Sequence, residues 1–500
     1  MNTSASHPEA CRLWTPQEMK VADESAAREG ISVRELIDAA GRAVAAYASR
    51  NFQNAGRVAI LAGKGNNGKD ALAASRILGA KGWDVLIFAA VEDEDDSRGL
   101  ADFDPTGCDL ILDGLLGAGL DREVEGVVAE VIDKANASGV PILAVDIPSG
   151  VDGRTGQVRG AAIRASLTIT FVLSKPGHLL LPGRDLCGAV TVAELPMPAA
   201  AMAEALDDAS PTYANEPALW RAYASAPLSA HHKYDRGHAV VFSGGMAQTG
   251  AARLSAMAAL RGGAGLVTMF SPASALLVNA HHLTSIMLKR CEAEDLAGLL
   301  EDKRLNAFVL GPGYGIGERA RQATEAVLAA GRRLVLDADG LSSFKEEPEA
   351  LFAAARRAAT DQPALVLTPH SGEFARLFPD LAADKTRSKL DQAREASARS
   401  GAVMVLKGAD TVIAAPDGRA AINATGTPWL ATAGTGDVLT GLIAAQLAQG
   451  VPSFEAACLG VWIHGKAAEH FGPGLISEDL PTCLPAVHRE LASLSAEQAP

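Results

Sequence analysis

The chain has 500 residues, with 45 basic and 59 acidic side chains and a net charge of −14. This length predicts two or more domains, and the acidic balance disfavours a general nucleic-acid binder. A hydrophobic fraction of 48% and a charged fraction of 21% are typical of folded protein and exclude disorder over most of the chain.

The six cysteines are scattered and form no CxxC pair. Their distribution argues against a zinc ribbon or a dithiol redox site and favours a reducing compartment. The N-terminal segment has no basic region followed by an apolar one, and the longest uncharged runs are too polar to cross a bilayer. We therefore predict a cytoplasmic protein with neither a membrane segment nor a nucleic-acid partner.

Short apolar segments in the first half predict buried strands, because they are continuous rather than alternating. They lie at 57–63, 84–90, 109–114, 140–146, 166–171 and 189–195. The intervening segments have helical apolar spacing and end in glycine. This alternation predicts a doubly wound α/β domain.

A second α/β series follows a proline-rich stretch, 196–230, in which no strong strand is predicted. Its predicted strands lie at 238–245, 265–270, 306–313, 333–341, 364–373, 402–408 and 411–416. We therefore predict an N-terminal domain at 1–210, a linker at 211–227 and a C-terminal domain at 228–500.

A glycine-rich turn, GKGNNGKD at 63–70, follows the first predicted strand and opens a helix. Glycines let the backbone turn tightly and approach a ligand, and a helix N-terminus favours a phosphate. Many α/β proteins have such turns, so a purely structural turn is the alternative interpretation. The amides Asn66 and Asn67 and the carboxylate Asp70 make this loop more polar than a turn requires.

Two further strand ends in the first half carry oxygen-rich side chains. Asp113 begins DGLLGAGLDREVEG at 113–126, and VDIPSGVDGRTG at 145–156 contains Asp146 and Ser149. Ligands of open α/β sheets gather at the carboxyl ends of the strands. Asn67, Asp113 and Ser149 therefore form a candidate site for a hard cation. Alternatively, each of these side chains caps a neighbouring helix.

These motifs, with the helical segment 13–44, resemble the signatures of NAD(P)H-hydrate epimerases over about residues 10–210. The resemblance implies an αβα Rossmann-like fold and a potassium ion held by Asn67, Asp113 and Ser149. It also implies that Asp146 is catalytic and lies beside the hydrated nicotinamide. The chain has Lys69 and Ala71 where the family has glycines. The residues implied to bind the hydrated dinucleotide, besides Asp146, are Asn66, Asn67, Gly68, Lys69, Asp70, Gly117, Ala118, Gly119, Leu120, Asp121, Arg122 and Glu123.

The most specific motif of the second half is ATAGTGDVLTGLIAAQLAQG at 431–450. Gly434, Thr435 and Gly436 form a turn whose backbone N–H groups can converge on phosphoryl oxygens at the N-terminus of an apolar helix. Asp437 follows at a position where a carboxylate can take the proton of a hydroxyl that attacks phosphorus. The alternative, that Asp437 only caps the helix, does not explain the two glycines.

Other polar strand ends of the second half supply further candidates. LKGADTVI at 406–413 places Lys407 and Gly408 where they suit a nucleotide phosphate or ribose. In TPHSGEF at 368–374, His370 is also compatible with an ordinary turn histidine. Glu373 of the same motif either helps to hold magnesium or caps a helix.

The segments HKYDRGHAVVFSGG, TPHSGEF, LKGADT and AGTGD resemble ADP-dependent NAD(P)H-hydrate dehydratases, which have a ribokinase-like αβα fold, over about 228–490. The resemblance implies that ADP, with Mg²⁺, phosphorylates the substrate hydroxyl and that phosphate is then eliminated. Asp437 would be catalytic. The residues implied to contact the hydrated dinucleotide are Ala251, Gly313, His370 and Asp437. Those implied to contact ADP are Lys407, Gly408, Ala409, Asp410, Thr411 and Gly436.

The two resemblances together predict a repair enzyme for hydrated NADH and NADPH. The first half would interconvert the R and S hydrates, and the second half would dehydrate the S hydrate with ADP. The small-molecule substrates are the expected partners, together with further copies of the chain in a homo-oligomer. The alternative is a small-molecule kinase of the ribokinase type fused to a nucleotide-binding scaffold domain.

Overall fold

The computed structural model describes residues 8–90, 97–206, 210–224 and 232–496. The chain divides into two compact units, a first unit of Arg12–Thr212 and a second unit of Tyr213–Pro500 together with Met1–Cys11. Each unit is built around a mostly parallel sheet with helices between its strands, so the predicted α/β fold class is confirmed. Within the described ranges, no helix has the length and apolarity that a membrane span requires.

The first unit follows the predicted alternation of strands and helices. Its elements are β1 (Arg12–Leu13), α1 (Pro16–Arg28), α2 (Val33–Asn51), β2 (Arg57–Ala62), α3 (Asn66–Ala80), β3 (Asp84–Ala89), β4 (Arg98–Gly99), β5 (Leu110–Gly114), α4 (Val127–Ala137), β6 (Ile142–Val145), β7 (Leu167–Phe171), α5 (Gly183–Leu186), β8 (Ala189–Ala193) and α6 (Ala199–Ala205).

The sheet of the first unit has the strand order β4-β3-β2-β5-β6-β7-β8, and its pairs are parallel. Apolar side chains of α2 and α3, such as Val44 and Leu78, pack with Ile60 in one buried cluster. Ile132 of α4 packs with Ile111 in another. Because β2, β5 and β6 are neighbours, the loops that follow them meet at one edge of the sheet.

The second unit continues the alternation. Its elements are β9 (Thr212–Ala214), α7 (Pro217–Trp220), β10 (His238–Phe242), α8 (Gly250–Arg261), β11 (Leu266–Ser271), α9 (Leu276–His282), β12 (Met287–Arg290), α10 (Leu296–Leu300), β13 (Ala307–Leu310), α11 (Glu318–Ala329), β14 (Arg333–Leu336), α12 (Asp339–Ser342), α13 (Pro348–Ala358), β15 (Leu365–Leu367), α14 (Ser371–Leu377), α15 (Pro379–Ala383), α16 (Lys389–Ser400), β16 (Val403–Leu406), β17 (Val412–Ala414), β18 (Ala420–Ile422), α17 (Thr435–Ala448), α18 (Ser453–Phe471) and α19 (Leu480–Ala496).

In the sheet of the second unit, the strands run in the order β9-β18-β17-β16-β15-β14-β13-β10-β11-β12. The pairs from β12 to β16 are parallel, and β17 and β18 form antiparallel pairs. The apolar helix predicted after Asp437 is α17, which is almost entirely buried and packs against α8. This packing gives the loop before α17 a rigid support.

The segment predicted as a linker, 211–227, contains regular structure in its described part. It includes β9 and α7, and Trp220 is fully buried with its ring 5.3 Å from that of Trp462. Residues 225–227 lie outside the described ranges. No strong strand was predicted in 196–230, and the short strand β9 was missed because three residues among prolines leave no readable periodicity. Whether the two domains are separable stays a prediction.

Candidate active sites

A cavity of about 1270 Å³ lies in the first unit where the loops after β2, β5 and β6 meet. Gly68, Lys69 and Glu123 are outside its lining. The lining includes most of the residues predicted to bind the dinucleotide, namely Asn66, Asn67, Asp70, Gly117, Ala118, Gly119, Leu120, Asp121, Arg122 and Asp146. The sequence motifs of this half therefore converge on one cavity.

The glycine-rich turn at the cavity has little room for side chains. A Cβ atom on Gly63 would overlap the carbonyl oxygen of Leu115, and one on Gly68 would overlap the carbonyl oxygen of Gly63. Gly65 is the N-cap of α3 and makes no side-chain cap. Gly63 and Gly68 are thus needed for backbone packing, and the lack of a side-chain cap at Gly65 leaves the first N–H groups of α3 available to a ligand.

Asp146 lies directly after β6, and its carboxylate is held on both sides. Oδ1 accepts hydrogen bonds from Lys175 Nζ at 2.7 Å and from Thr170 Oγ1 at 3.0 Å, and Oδ2 accepts one from the Ala118 N–H at 3.1 Å. Burial alone would raise the pKa of Asp146, but the adjacent Lys175 ammonium outweighs it and lowers the pKa to about 2. Asp146 is therefore ionised at neutral pH.

Lys175 holds the carboxylate of Asp146 and His178 holds its backbone carbonyl, and neither residue was identified from the sequence. The Lys175 side chain is 1% exposed. His178 Nδ1 accepts a hydrogen bond from the Lys175 backbone N–H at 2.9 Å, so Nε2 is the nitrogen that donates to the Asp146 carbonyl at 2.8 Å. Burial, with the Lys175 charge, lowers the pKa of His178 to about 4, which keeps the imidazole neutral.

Two further carboxyl groups, Asp70 and Asp23, line the same cavity. Asp70 is 9% exposed, and its carboxyl group makes no hydrogen bond within the described part of the chain. Burial, followed by the charges of Asp146 and Asp23, raises the pKa of Asp70 to about 8. Burial likewise raises the pKa of Asp23 to about 6.

The three predicted cation ligands converge on the backbone around Leu116. Ser149 donates from Oγ to Asp113 Oδ1 at 2.6 Å and from its N–H to Oδ2 at 2.8 Å. Asn67 Nδ2 donates to the Leu116 carbonyl at 2.9 Å, and Ser149 Oγ lies 3.2 Å from the same oxygen. The buried Asn67 Oδ1 has no hydrogen-bond partner among the described residues.

The GTGD loop of the second unit opens α17 as the sequence predicts. Gly434 is the N-cap with φ 88°, and no side chain caps this helix. The Asp437 carboxylate makes no hydrogen bond in the described ranges, so the alternative interpretation as a cap is not supported. Burial and the charge of Asp337 raise the pKa of Asp437 to about 6, although Lys407 acts in the opposite direction.

Lys407 reaches the GTGD loop from the end of β16. Its Nζ lies 2.9 Å from Asp337 Oδ1 and 4.0 Å from Glu373 Oε2. A Cβ atom on Gly436 would lie 3.4 Å from this ammonium. Asp337, which follows β14 and is 2% exposed, was not identified from the sequence.

His370 and Glu373 form a capping box at the start of α14. His370 Nδ1 accepts a hydrogen bond from the Gly372 N–H at 3.0 Å, and Glu373 Oε2 accepts one from the His370 N–H at 2.9 Å. The His370 side chain is still 55% exposed. Glu373 therefore has the capping role that the sequence left open.

In the described ranges no group of three or more His, Cys, Asp or Glu side chains forms a metal-binding cluster.

The remaining predicted residues of the second unit fall into two places. A Cβ atom on Gly313 would lie 3.6 Å from Ala251 Cβ, so these two positions are adjacent. At the other place, Lys389 Nζ lies 2.6 Å from Asp410 Oδ1, and Thr411 Oγ1 donates to the Gly408 carbonyl at 2.7 Å. The LKGADT turn is thus closed by its own Thr411 and held to α16 through Lys389.

Comparison with known proteins identifies the family. Residues 239–481 match the family described as NAD(P)H-hydrate dehydratase, and residues 33–103 and 93–177 match the one described as YjeF-related protein N-terminus. The bifunctional NAD(P)H-hydrate repair enzyme Nnr of Thermofilum pendens is 36% identical, with 95% of each chain aligned. That of Escherichia coli is 32% identical, with 94% of this chain and 92% of the relative aligned.

One similar solved structure is the ADP/ATP-dependent NAD(P)H-hydrate dehydratase of Bacillus subtilis, co-crystallised with ATP and Mg²⁺. Its TM-score is 0.49 and its sequence identity is 29%. The match covers 56% of this chain and 98% of that one. The nearly full-length relatives support the bifunctional interpretation and not the kinase fused to a scaffold. The chain belongs to the family of bifunctional NAD(P)H-hydrate repair enzymes, which combine an epimerase domain with a dehydratase domain.

Proposed function

We propose that the first unit interconverts the R and S hydrates of NADH and NADPH in its cavity, and that the second unit dehydrates the S hydrate with ADP at the GTGD loop. The observation that supports this most is the convergence of the separate epimerase-type motifs on one cavity around Asp146. The hydrated dinucleotide would bind between the start of α3 and the loop 117–122. Backbone N–H groups at the start of α3 suit its phosphates.

In the dehydratase site, Asp437 is proposed as the general base. Its carboxylate is free of hydrogen bonds in the described ranges, and a pKa of about 6 leaves it ionised at neutral pH but still basic. It would accept the proton of the substrate hydroxyl as that oxygen attacks the phosphorus. Lys407 beside Gly436 would offset the charge of the transferred phosphoryl group.

The nucleotide is proposed to bind along the LKGADT turn and the GTGD loop, and the hydrated dinucleotide beside Ala251, Gly313, His370 and Asp437. Magnesium would be held mainly by the phosphates of ADP, because Glu373 is engaged in its helix cap. When bound, this ion supplies positive charge to the phosphates.

Potassium fits the site formed by Asn67, Asp113 and Ser149. The donor atoms are carboxylate, hydroxyl and amide oxygens, and the buried Asn67 Oδ1 lacks a partner in the described ranges. A monovalent cation would satisfy this atom and, when bound, would supply positive charge near Asp146 and the dinucleotide phosphates.

The proposed function is tested with the full chain, ADP and a mixture of R- and S-hydrated NADH, by following the recovery of the reduced nicotinamide absorbance. We expect complete recovery at a rate above that of spontaneous epimerisation. Recovery that stops when the S hydrate is consumed would contradict the epimerase assignment. Accumulation of a stable phosphorylated product would contradict the dehydratase assignment.

The potassium site is tested by replacing K⁺ with tetramethylammonium in the same assay. Epimerisation should slow, whereas dehydration of pure S hydrate should keep its rate. Asn67→Leu should reproduce the effect in the presence of K⁺. Equal epimerisation rates in both salts, with an active Asn67→Leu variant, would remove the cation site from the proposal.

A further inference from the structure

Two carboxyl groups of the first unit's cavity differ sharply in their hydrogen bonding. Three donors occupy the Asp146 carboxylate, two on Oδ1 and one on Oδ2. Asp70 lines the same cavity, is nine-tenths buried, and has no hydrogen-bond donor among the described residues. One carboxylate is thus fixed and saturated, whereas the other is free to exchange a proton with a bound molecule.

The two groups also differ in protonation. Asp146, with a pKa of about 2, is ionised at neutral pH and is a poor proton acceptor. Asp70, with a pKa of about 8, carries its proton at neutral pH and can give it up. A pair of carboxyl groups whose surroundings separate their pKa values in this way is suited to different roles in one reaction.

We propose that Asp70 is the proton donor and acceptor of the epimerase, and that Asp146 acts as a fixed anion beside the reacting ring. The inference rests on the proposed epimerase function of this cavity and deepens it. It assigns proton transfer to a residue that the sequence placed only in the binding loop.

The chemistry balances without a co-reactant. In the hydrated nicotinamide, the new hydroxyl group is on a carbon bonded to the ring nitrogen. The Asp70 carboxyl group protonates this hydroxyl, the C–O bond breaks, water leaves, and the nitrogen lone pair forms a C=N⁺ bond. Water then adds to the opposite face of the ring and returns a proton to Asp70. The Asp146 carboxylate stabilises the transient positive charge of the ring.

Burial raises the pKa of Asp70 most, and charged neighbours shift it further. Asp146, after β6, and Asp23, on α1, both raise its pKa, whereas Lys69 on its own helix lowers it. The other charged residues that line the cavity are Lys20, Lys64, Asp121 and Arg122. Lys69 occupies a position where the family has glycine. Its ammonium group lowers the pKa of Asp70, an effect that a glycine at this position could not have.

The test measures epimerisation of the R hydrate by the full chain without ADP, so that the dehydratase is idle. Asp70→Asn should lower kcat by about a hundredfold or more, with KM changed less than about threefold. Asp70→Glu should recover part of the rate, and the exposed control Asp133→Asn should keep it. A near wild-type kcat for Asp70→Asn would overturn the inference, whereas an inactive wild-type chain would overturn the proposed function itself.

The pH dependence of epimerisation distinguishes proton transfer by Asp70 from a structural role, which would not affect it. Because the donor must be protonated, wild-type kcat should fall as the pH rises through about 8. Asp23→Asn should shift this alkaline limb to lower pH, and Lys69→Met should shift it to higher pH. An unmoved limb in both variants would overturn the inference, even if Asp70→Asn proves unable to fold. Dehydration of S hydrate with ADP by the same preparations monitors the fold of the second unit.

Discussion

Asp146 and Asp437 show how the surroundings of a carboxylate decide its chemistry. Asp146 shares a direct ion pair with the buried Lys175, and its pKa falls to about 2. Near Asp437 the ammonium of Lys407 is bound to Asp337 instead, and the pKa of Asp437 rises to about 6. A buried carboxyl group beside a second carboxylate is a better base than one paired with a cation. The first residue therefore suits charge stabilisation and the second suits proton transfer.

Asp437→Asn should abolish dehydration while leaving the fold intact. The amide cannot accept the substrate proton, and loss of a general base costs on the order of a hundredfold to ten-thousandfold in rate. The Asp437 side chain makes no hydrogen bond in the described ranges, so little stability should be lost. The measurement is ADP-dependent recovery of absorbance from pure S hydrate, with epimerisation of R hydrate as the control. Near wild-type dehydration would show that another group is the base.

The pH dependence of dehydration should follow the ionisation of Asp437. The base must be deprotonated, so kcat/KM should rise with pH through about 6 and reach a plateau above it. Asp337→Asn should shift this limb to lower pH, because it removes the negative charge that raises the pKa of Asp437. A limb that stays at the same pH in Asp337→Asn would show that Asp437 is not the titrating group.

Sequence patterns located the loops of both candidate sites but not the residues that tune them. Asn67, Asp70, Asp146 and Asp437 lie in motifs with glycine or polar repeats that mark a ligand loop. Lys175 has no such signal, because its partner Asp146 is 29 residues away and meets it only after the sheet forms. A tertiary ion pair of this kind has no local pattern that a sequence could display.

Helix packing explains why the GTGD loop can be rigid. α17 is buried on nearly all sides, and Ser255 of α8 donates from Oγ to the Asp437 carbonyl at 2.8 Å. The close approach of the two helices depends on Gly441, where a Cβ atom would overlap the Ser255 carbonyl oxygen. Glycine in a helix costs conformational entropy, and here it allows α8 to support the GTGD loop directly.

Gly441→Ala should destabilise the second unit by about 1–3 kcal/mol, because the added methyl group must push two backbones apart. It should also lower dehydratase kcat, since the turn that carries Asp437 would move. Gly298→Ala is the matched control: Gly298 lies in α10 with open space around its Cβ position, so alanine should be neutral or slightly stabilising. Calorimetry of both variants makes the comparison, and equal transition temperatures would contradict the packing argument.

At the scale of the whole chain, long apolar strands were predictable, whereas several short strands were not. The segments predicted at 57–63 and 238–245 are β2 and β10. β9, β12 and β18 have three or four residues each, and β12 is largely exposed, so they lack the apolar run that marks a buried strand. The missed β9 matters most, because it moves the start of the second folding unit upstream of the expected boundary. The predicted homo-oligomer stays a prediction.

A fragment that begins at residue 212 should fold and dehydrate S hydrate, whereas one that begins at 228 should be much less stable. The shorter fragment lacks β9, Asn215 and Trp220. Asn215 Nδ2 donates to Asn423 Oδ1 and to the Cys458 carbonyl, both at 2.9 Å, and its own Oδ1 accepts a hydrogen bond from Trp220 Nε1 at 3.1 Å. Removing these groups breaks the buried hydrogen bonds to Asn423 and Cys458 and leaves an empty space the size of an indole ring.

The contribution of Trp220 to the second unit can also be measured without truncation. Trp220→Ala in the full chain should cost about 3–5 kcal/mol in the unfolding of the second unit, and the epimerase rate should not change. Tyr223→Ala is the control, because its ring is 45% exposed three residues further on. The loss of dehydratase activity on heating monitors unfolding, and Trp220→Ala should lose activity at a lower temperature than Tyr223→Ala. Two results together would show that segment 211–227 is a linker. The fragment starting at 228 would be as stable and active as the one starting at 212, and Trp220→Ala would be as stable as Tyr223→Ala.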